Sequence, residues 1–404
     1  MDVNLEIGRR TFLSGAAAAL VLPDVSSFCE AAESEDEALK VAVIGHTGRG
    51  NFGHGLDTVW LHNPDTQIVA AADPNTVGLA KELKKLKIDR GFSDYRQMLK
   101  EVKPDIVAVC PRHADQHRDM VVASAEAGVK GIYIEKPFCR TPVEADEMKA
   151  ACEKENVKLA VAHRNRYHPT LKVIDELLAA GRIGRLLEIR GRGKGDRRGG
   201  AEDLWVLGTH VLNLMAYFGG KPKTCSGVML QDRRRVNRHD VKEGAEGLGP
   251  MGGNELHVRY EFSRGVVGYF DSIANDGTKN AGFGLQLVGS DGIVNIQCDK
   301  HPLAWLCPGN PFQPTKEPRP WIPISTAGVG QPEPRDDLSE MVSHHGLPAH
   351  DLVTSIRADR QPVCNIDEGA LTVEMVCAVF ESHRLGSQAV EFPLRERENS
   401  LKNL

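Results

Sequence analysis

The stretch Lys40-Val-Ala-Val-Ile-Gly-His-Thr-Gly-Arg-Gly50 decides the fold. Its first five residues are mainly β-branched and apolar, which predicts a short buried strand. Three glycines follow within six residues, and residues 51–62 can form a helix after them. A strand, a glycine turn and a helix in this order begin a βαβ unit.

Strands and helices continue to alternate from this stretch to His163. Apolar runs bounded by turn residues predict strands at residues 67–72, 105–109, 131–134 and 157–162. Patterns between these runs predict helices at residues 80–86, 116–127 and 143–155. Because strands that alternate with helices form a parallel sheet covered on both faces, the sequence predicts an α/β fold.

The glycine turn predicts the chemistry of this domain. In dinucleotide-binding folds, glycines allow a tight turn, close approach of the pyrophosphate, and packing of helix on strand. Gly45 and Gly50 fit the outer positions, Thr47 takes the middle one, and Gly48 lies beside it. Asp73 ends the next strand, where a carboxylate binds the adenosine ribose and repels a 2′-phosphate. The motif therefore predicts a Rossmann domain over residues 38–163 that prefers NAD to NADP, although Asp73 also fits a simple turn.

A second motif, Glu135-Lys136-Pro137, follows the strand predicted at residues 131–134. It lies at the carboxyl end of the sheet, where ligands bind in open α/β folds. Pro137 stiffens the turn, and the ammonium of Lys136 can stabilise an alkoxide that develops during hydride transfer. The alternative is a solvated surface lysine.

Taken together, these motifs resemble the glucose–fructose oxidoreductase and inositol dehydrogenase family (Gfo/Idh/MocA). The motifs that carry the resemblance are Gly45–Gly50, Asp73, Asp94-Tyr95, Pro111 with His117, Glu135-Lys136-Pro137 and Gly181-Arg-Ile-Gly184. The resemblance implies that Pro111, His117, Glu135 and Lys136 bind the cofactor. It also implies a C-terminal α/β domain, residues 164–404, with an open, mainly antiparallel sheet, a carbohydrate-like small-molecule substrate and a homo-oligomer.

The second half of the chain contains alternating apolar patterns typical of such a sheet. Asp291-Gly292 fits a hairpin turn between two of the runs. The predicted strands are residues 186–190, 256–262, 266–271, 285–289 and 293–297.

The resemblance also assigns an acid–base residue, because residues 203–213 match the family segment that carries the catalytic histidine. His210 is therefore the candidate general acid/base, and an imidazole titrates close to neutral pH. His210 would take the hydroxyl proton while Lys136 polarises the oxygen. The alternative is a core histidine on an apolar helix.

This segment departs from the family pattern at two positions. The acids usual four residues before and three after the histidine are here Val206 and Asn213. Asp203, one helical turn upstream of Val206, could compensate for them. Alternatively, Trp205 and Asn213 shape a different substrate pocket.

The second half of the chain begins directly after a predicted strand with a polar segment, His163 to Pro169. In the family this segment lies beside the nicotinamide. Arg164, Asn165 and Tyr167 are therefore candidates for binding substrate hydroxyls or a carboxylate. The alternative is an interdomain hinge with solvated charges.

The first residues of the chain predict a targeting signal. Arg9-Arg10 precedes Phe12-Leu13 and an alanine-rich apolar run. This order predicts a twin-arginine signal peptide over residues 1–32, export to the periplasm, and no stable membrane anchor after cleavage. The alternative is an amphipathic N-terminal helix. Because this route carries folded proteins, it favours a cofactor that is bound tightly before export.

Composition excludes several other classes. The chain has 404 residues, 41% hydrophobic and 26% charged, which is ordinary globular usage. A net charge of −5 argues against nucleic acid as a partner. The nine cysteines include no C-x-x-C pair, and we interpret most as buried free thiols. His113 and His117 lack a third ligand at motif spacing, so no metal site is predicted.

Three functional hypotheses follow. The first is an exported NAD-linked oxidoreductase acting on a hydroxyl of a sugar, cyclitol or glycoside. The second is an NAD-dependent glycosidase or lyase that oxidises C3 transiently, although the relatives of this kind replace the lysine that is present here as Lys136. The third is a nucleotide-binding relative that has lost catalysis, for which Val206 and Asn213 are the signals.

Overall fold

The apolar runs of the first half form one parallel sheet in the computed structural model, which describes residues 37–404. Its strands are β1 (Leu39–Ile44), β2 (Thr66–Ala72), β3 (Gly91–Phe92), β4 (Ile106–Val109), β5 (Gly131–Ile134) and β6 (Lys158–Val161). They lie in the order β3-β2-β1-β4-β5-β6. The order reverses between β1 and β4, and ligands of open α/β sheets bind at the carboxyl ends of the strands beside such a reversal.

Helices that connect these strands begin at short polar side chains. Asn75 accepts from the N–H of Gly78, and Thr141 accepts from the N–H of Glu144, which satisfies amides of the first turn. The helices are α1 (Thr76–Leu86), α2 (Tyr95–Val102), α3 (His117–Glu126) and α4 (Pro142–Lys154).

The helix expected over residues 51–62 is wrong for most of its length. Only Val59–His62 is helical, as one 3₁₀ turn. Asn51, Gly53 and Gly55 have φ angles of 51°, 68° and 97°. These left-handed conformations interrupt an α-helical hydrogen-bond ladder. The glycine turn is therefore not followed by the N-terminus of an α-helix.

The second half forms an eleven-stranded sheet that is antiparallel except where one pair of strands runs parallel. The strands of this half are β7 (Leu186–Arg192), β8 (Pro222–Gln231), β9 (Arg234–Arg235), β10 (Lys242–Glu243), β11 (Pro250–Met251), β12 (Glu255–Phe262), β13 (Val267–Ile273), β14 (Gly284–Gly289), β15 (Gly292–Gln297), β16 (Ala304–Pro308), β17 (Ile322–Ser325), β18 (Gly328–Val329) and β19 (Val390–Glu391). The parallel pair is β7 with β13, and β10 pairs only with β11. The predicted fold class, a Rossmann-type domain followed by a mainly antiparallel sheet, is confirmed.

Helices of the second half cover both sheets. They are α5 (Thr170–Ala179), α6 (Ala201–Asp203), α7 (Thr209–Gly219), α8 (Leu338–Ser343), α9 (Gly346–Arg357) and α10 (Ile366–Arg384), with a π-helical turn at Leu204–Gly208 between α6 and α7. Ile356 of α9 packs so closely on Gly131 that a Cβ there would lie 2.5 Å from its Cδ1. Tyr260 of β12 donates to the Met375 carbonyl of α10. The domain boundary at residue 163 stays a prediction.

The described residues contain free cysteines and no membrane-spanning helix. All eight cysteines within residues 37–404 are free thiols, and seven of them are buried. Among the same residues, no helix combines the length and apolarity needed to span a bilayer. The predicted signal peptide, including Cys29, lies outside the described residues.

Candidate active site

The glycine turn after β1 packs tightly on its inner side and is open on its outer side. A Cβ on Gly45 would lie 2.2 Å from the ring of Phe52, and one on Gly50 would lie 2.2 Å from the backbone nitrogen of Arg112. Gly48 has a φ of 87° and nothing within 4 Å of its Cβ position. The turn is therefore open at Gly48, and its role in cofactor binding stays a prediction.

Asp73 anchors this turn. Its carboxylate accepts from the N–H of Thr47 at 3.0 Å, from the Thr47 hydroxyl at 2.6 Å and from the N–H of Asn75 at 2.8 Å. The side chain is fully buried. A ribose hydroxyl would therefore have to share the carboxylate with Thr47, and the ribose role of Asp73 stays a prediction.

A cleft of about 430 Å³ lies at the ends of β1 and β2, lined by residues that include Gly45, His46, Asp73 and Asp115. Beside it, His113 Nδ1 and Asp115 Oδ1 lie 4.0 Å apart, and neither buried atom has a hydrogen-bond partner among the described residues. Buried polar atoms are normally paired, and such orphans fit a polar ligand. The cleft and the open turn together fit a dinucleotide.

Glu135 links the glycine-rich segment to the loop after β5. Its carboxylate accepts from Nδ1 of His54 at 3.1 Å and from the N–H of Lys136 at 3.0 Å. Burial alone would raise the pKa of Glu135, but the His54 hydrogen bond and the Lys136 charge hold it at about 2. The glycine turn and Lys136 therefore lie on the same edge of the sheet.

His117 fastens the loop after β4 to the loop after β5. Its Nε2 lies 2.6 Å from the carbonyl oxygen of Pro111, and its Nδ1 lies 2.9 Å from that of Pro137. The ring is fully buried. His117 and Pro111 were both predicted as cofactor residues, and His117 here joins the Pro111 carbonyl to the backbone directly after Lys136.

Lys136 reaches from the first sheet to the π-helical turn. Its Nζ donates to the carbonyl oxygen of Val206 at 3.2 Å. Burial lowers the pKa of Lys136, although the nearby charges of Glu135, Glu246 and Asp299 oppose that shift. π-Helical turns occur often at functional sites, where they displace backbone groups from the regular ladder.

His210, on α7, faces a second histidine. Its Nδ1 lies 3.4 Å from Nδ1 of His163, and the rings meet edge to face with centroids 5.1 Å apart. Burial, the His163 ring and the Lys136 charge lower the pKa of His210 well below its usual value. Burial and Lys136 likewise lower the pKa of His163 to about 3. Both imidazoles are therefore neutral at neutral pH.

Asp299 is an acid of this site that the sequence reasoning missed. Arg164 Nε donates to it at 2.9 Å, and Asn165 Nδ2 donates to it at 3.0 Å. Burial opposes ionisation, but the hydrogen bonds and positive charge of Arg164 hold the pKa of Asp299 well below its usual range. Asp299 follows β15, and no motif in the sequence joined it to residues 164 and 165.

Three other predicted substrate residues make their polar contacts elsewhere, and a fourth, Trp205, has a buried indole nitrogen without a hydrogen-bond partner among the described residues. Asp203 accepts from Ser272 and Lys194, and Trp205 packs on Phe380 with no exposed surface. Asn213 donates to Glu368, and the Tyr167 hydroxyl accepts from the N–H of Cys364. The structure thus gathers Lys136, His210, Arg164 and Asn165. Asp203 fastens the loop after β7, and burial raises its pKa.

Residues 39–163 match the GFO/IDH/MocA oxidoreductase family, described as an NAD-binding Rossmann fold. The match spans the Rossmann domain of the chain. Its N-terminal domain is thus an NAD-binding Rossmann fold, in agreement with the open turn at Gly48 and the adjoining cleft.

Two curated dehydrogenases and one solved structure are similar to this chain. Levoglucosan dehydrogenase of Pseudarthrobacter phenanthrenivorans is 26% identical over 57% of this chain and 64% of its own length. D-Apiose dehydrogenase of Paraburkholderia graminis is 30% identical over 40% of this chain and 42% of its own length. Both alignments thus span less than two thirds of the relative. A solved levoglucosan dehydrogenase in complex with NADH and L-sorbose has a TM-score of 0.69 at 20% identity, covering 89% of this chain and all of that one, and shows the shared fold.

Proposed function

We propose that this protein is an NAD-dependent oxidoreductase that acts on a CH–OH group of a sugar, cyclitol or glycoside. The observation that carries the proposal is the convergence of the Lys136 ammonium and the neutral His210 imidazole beside the glycine turn. Both named curated relatives are dehydrogenases of carbohydrates, which supports the substrate class.

Residues of this chain would bind the cofactor, stabilise charge on the substrate oxygen and accept the hydroxyl proton. The turn at Gly48 and the cleft below it would hold the dinucleotide, which supplies the hydride acceptor when bound. Lys136 Nζ, turning from the Val206 carbonyl to the substrate oxygen, stabilises negative charge there. His210 is neutral and has no hydrogen bond at Nε2 among the described residues, so Nε2 can accept the hydroxyl proton.

The test begins with the nucleotide that copurifies with the protein, identified by mass spectrometry. NADH formation is then followed with levoglucosan, free sugars, cyclitols and aryl glycosides as probes. Net NADH formation supports the oxidoreductase, whereas cleavage of an aryl glycoside without net NADH identifies the glycosidase instead. Bound NAD with no turnover across the panel identifies an inactive relative, and failure to bind NAD or NADH overturns the proposal.

We also propose that the protein is exported by the twin-arginine route. The support is the Arg9-Arg10 pair and the apolar stretch after it. The full-length chain is expressed with its native first residues, and its periplasmic fraction is measured by immunoblotting. Replacement of both arginines by lysine should abolish export, and unchanged periplasmic protein in that variant contradicts the proposal.

A further inference from the structure

Two buried histidines of the candidate site, His163 and His210, contact each other. His163 lies two residues after β6, the last strand of the first sheet, and His210 lies on α7 of the second half. The Nδ1–Nδ1 distance of 3.4 Å joins two rings that are each at most 5% exposed. No carboxylate hydrogen-bonds to either ring among the described residues, so each imidazole has the other as its only side-chain hydrogen-bond partner.

The shared hydrogen bond constrains where the protons lie. A neutral imidazole carries one N–H and one bare nitrogen, so one Nδ1 must donate and the other must accept. If Nδ1 of His210 carries the hydrogen, Nε2 of His210 is bare and Nδ1 of His163 accepts. If the tautomers are reversed, Nε2 of His210 carries a hydrogen and cannot take a proton from an alcohol.

Each ring of the pair faces charges of both signs. The groups that face His210 are His163, Lys136 and Arg164, and the carboxylate of Asp299. The charged groups that face His163 are Lys136 and Glu135. Each ring therefore has one carboxylate as a counter-charge, Asp299 for His210 and Glu135 for His163. Nε2 of His163 is buried without a hydrogen-bond partner among the described residues, so a proton released by a ligand can reach the pair only at Nε2 of His210.

We propose that His163 is a positioning residue that accepts a hydrogen bond from Nδ1–H of His210 and so keeps Nε2 of His210 bare. When Nε2 binds the proton released from the substrate hydroxyl, the resulting imidazolium still donates from Nδ1 to His163. The histidine thus performs the orienting task that a carboxylate performs in a Ser-His-Asp triad. This inference rests on the proposed function in one respect, that His210 is the base.

Nitrogen NMR of protein labelled with ¹⁵N at its histidine rings tests the tautomers directly, without substrate. The His210 signals are assigned from the His210→Asn variant, and the His163 signals from His163→Phe. We expect a protonated Nδ1 and a bare Nε2 on His210, and a bare Nδ1 on His163. A bare Nδ1 on His210 overturns the inference, even if the protein binds NAD and is active.

Kinetics with NAD and the most active probe of the panel give the second readout. His163→Phe retains an edge-to-face ring but removes the acceptor, and we expect kcat to fall roughly 100-fold with little change in KM. His163→Asn places an amide oxygen near the position of Nδ1 and should recover much of kcat. His168→Phe is the matched control, because His168 is a buried histidine of the same segment whose ring lies against His301.

The pH profile separates positioning from simple loss of structure. His163→Phe should move the acid limb of kcat/KM, whereas His168→Phe should leave that limb unchanged. NAD binding and the melting temperature show whether each variant is folded. A folded His163→Phe protein that binds NAD and keeps both the wild-type kcat and the wild-type pH profile overturns the inference. If the wild-type protein does not bind NAD, the proposed function is contradicted. The NMR result then still decides which nitrogen of each histidine carries the hydrogen.

Discussion

The Nζ atom of Lys136 donates to the carbonyl oxygen of Val206, 70 residues along the chain and in the other half of the fold. The resemblance led us to expect an acid at position 206, but the structure presents a backbone carbonyl from a π-helical turn. A carbonyl is neutral and can release the ammonium to a substrate oxygen without separating an ion pair. The contact therefore holds Lys136 in place at small electrostatic cost.

Replacing Lys136 by methionine keeps most of the side-chain volume and removes the charge. We expect kcat to fall by about 10²- to 10³-fold, the usual cost of removing one donor that stabilises developing negative charge. Lys149→Met is the control, since Lys149 forms an ion pair with Asp367 at the surface. Full turnover of the Lys136→Met protein would remove Lys136 from the mechanism.

The anchoring of the glycine turn by Asp73 leads to a prediction about affinity. Thr47→Val removes the hydroxyl that donates to Asp73 at 2.6 Å but leaves the backbone N–H bond in place. A hydrogen bond to a charged group contributes about 1.5–3 kcal/mol, so part of the order of the turn is lost. We expect calorimetry to show weaker NAD binding, by roughly 10-fold, with a lower melting temperature.

Thr47→Ser is the matched control for that experiment, because serine keeps the donor hydroxyl. Its NAD affinity should remain close to that of the wild type. Equal affinities for the valine and serine variants would contradict an anchoring role of the hydroxyl.

The direction of the His210 pKa shift predicts the pH dependence of alcohol oxidation. The base must be neutral, and the pKa of His210 lies well below 6.5 because of burial, His163 and Lys136. The acid limb of kcat/KM should therefore lie well below pH 6.5, with no loss of rate at pH 6.5 itself. His210→Asn should abolish this limb and lower kcat by about 10²- to 10⁴-fold. A half-maximal rate at pH 6.5 assigned to His210 would contradict the burial that the fold imposes.

Local sequence patterns were sufficient for five of the six strands of the first sheet, all but β3, and for the position of Lys136 after β5. Strand β5 and the Glu135-Lys136-Pro137 turn depend on residues adjacent in the chain, and so does the glycine turn at Gly45–Gly50. The helix predicted over residues 51–62 was wrong because the spacing of apolar residues does not reveal the left-handed backbone at Asn51, a non-glycine residue. There the backbone conformation, not the hydrophobic pattern, decides the structure.

The rest of the site depends on contacts between distant residues. Asp299 meets Asn165 across 134 positions, and His163 meets His210 across 47. Neither pair has a spacing that marks it in the sequence, because the packing of the two sheets brings them together. Asn213 was expected at the substrate pocket, yet its amide donates to Glu368 of α10, a helix whose position no local pattern predicts.

A buried acidic pair outside the site has a different consequence. Glu82, on α1, is 5% exposed and lies beside the buried Asp57, and Lys85 donates to Asp57. Burial and the neighbouring Asp57 raise the pKa of Glu82 to about 8, and Lys85 only partly offsets them. In the folded protein Glu82 is therefore protonated at pH values where the unfolded chain has lost that proton.

This difference predicts that folding stability falls as pH rises between about 4.5 and 8, because the folded state binds more protons than the unfolded state there. The contribution of Glu82 is complete below about pH 4.5, and the slope reaches at most about 1.4 kcal/mol per pH unit. In urea unfolding of the protein from pH 5 to 8, Glu82→Gln should reduce the dependence of the unfolding free energy on pH and stabilise the protein at pH 8. Glu153→Gln, at an exposed position on α4, should leave the slope unchanged. Parallel pH dependences for wild type and Glu82→Gln would show that Glu82 is ionised in the folded state.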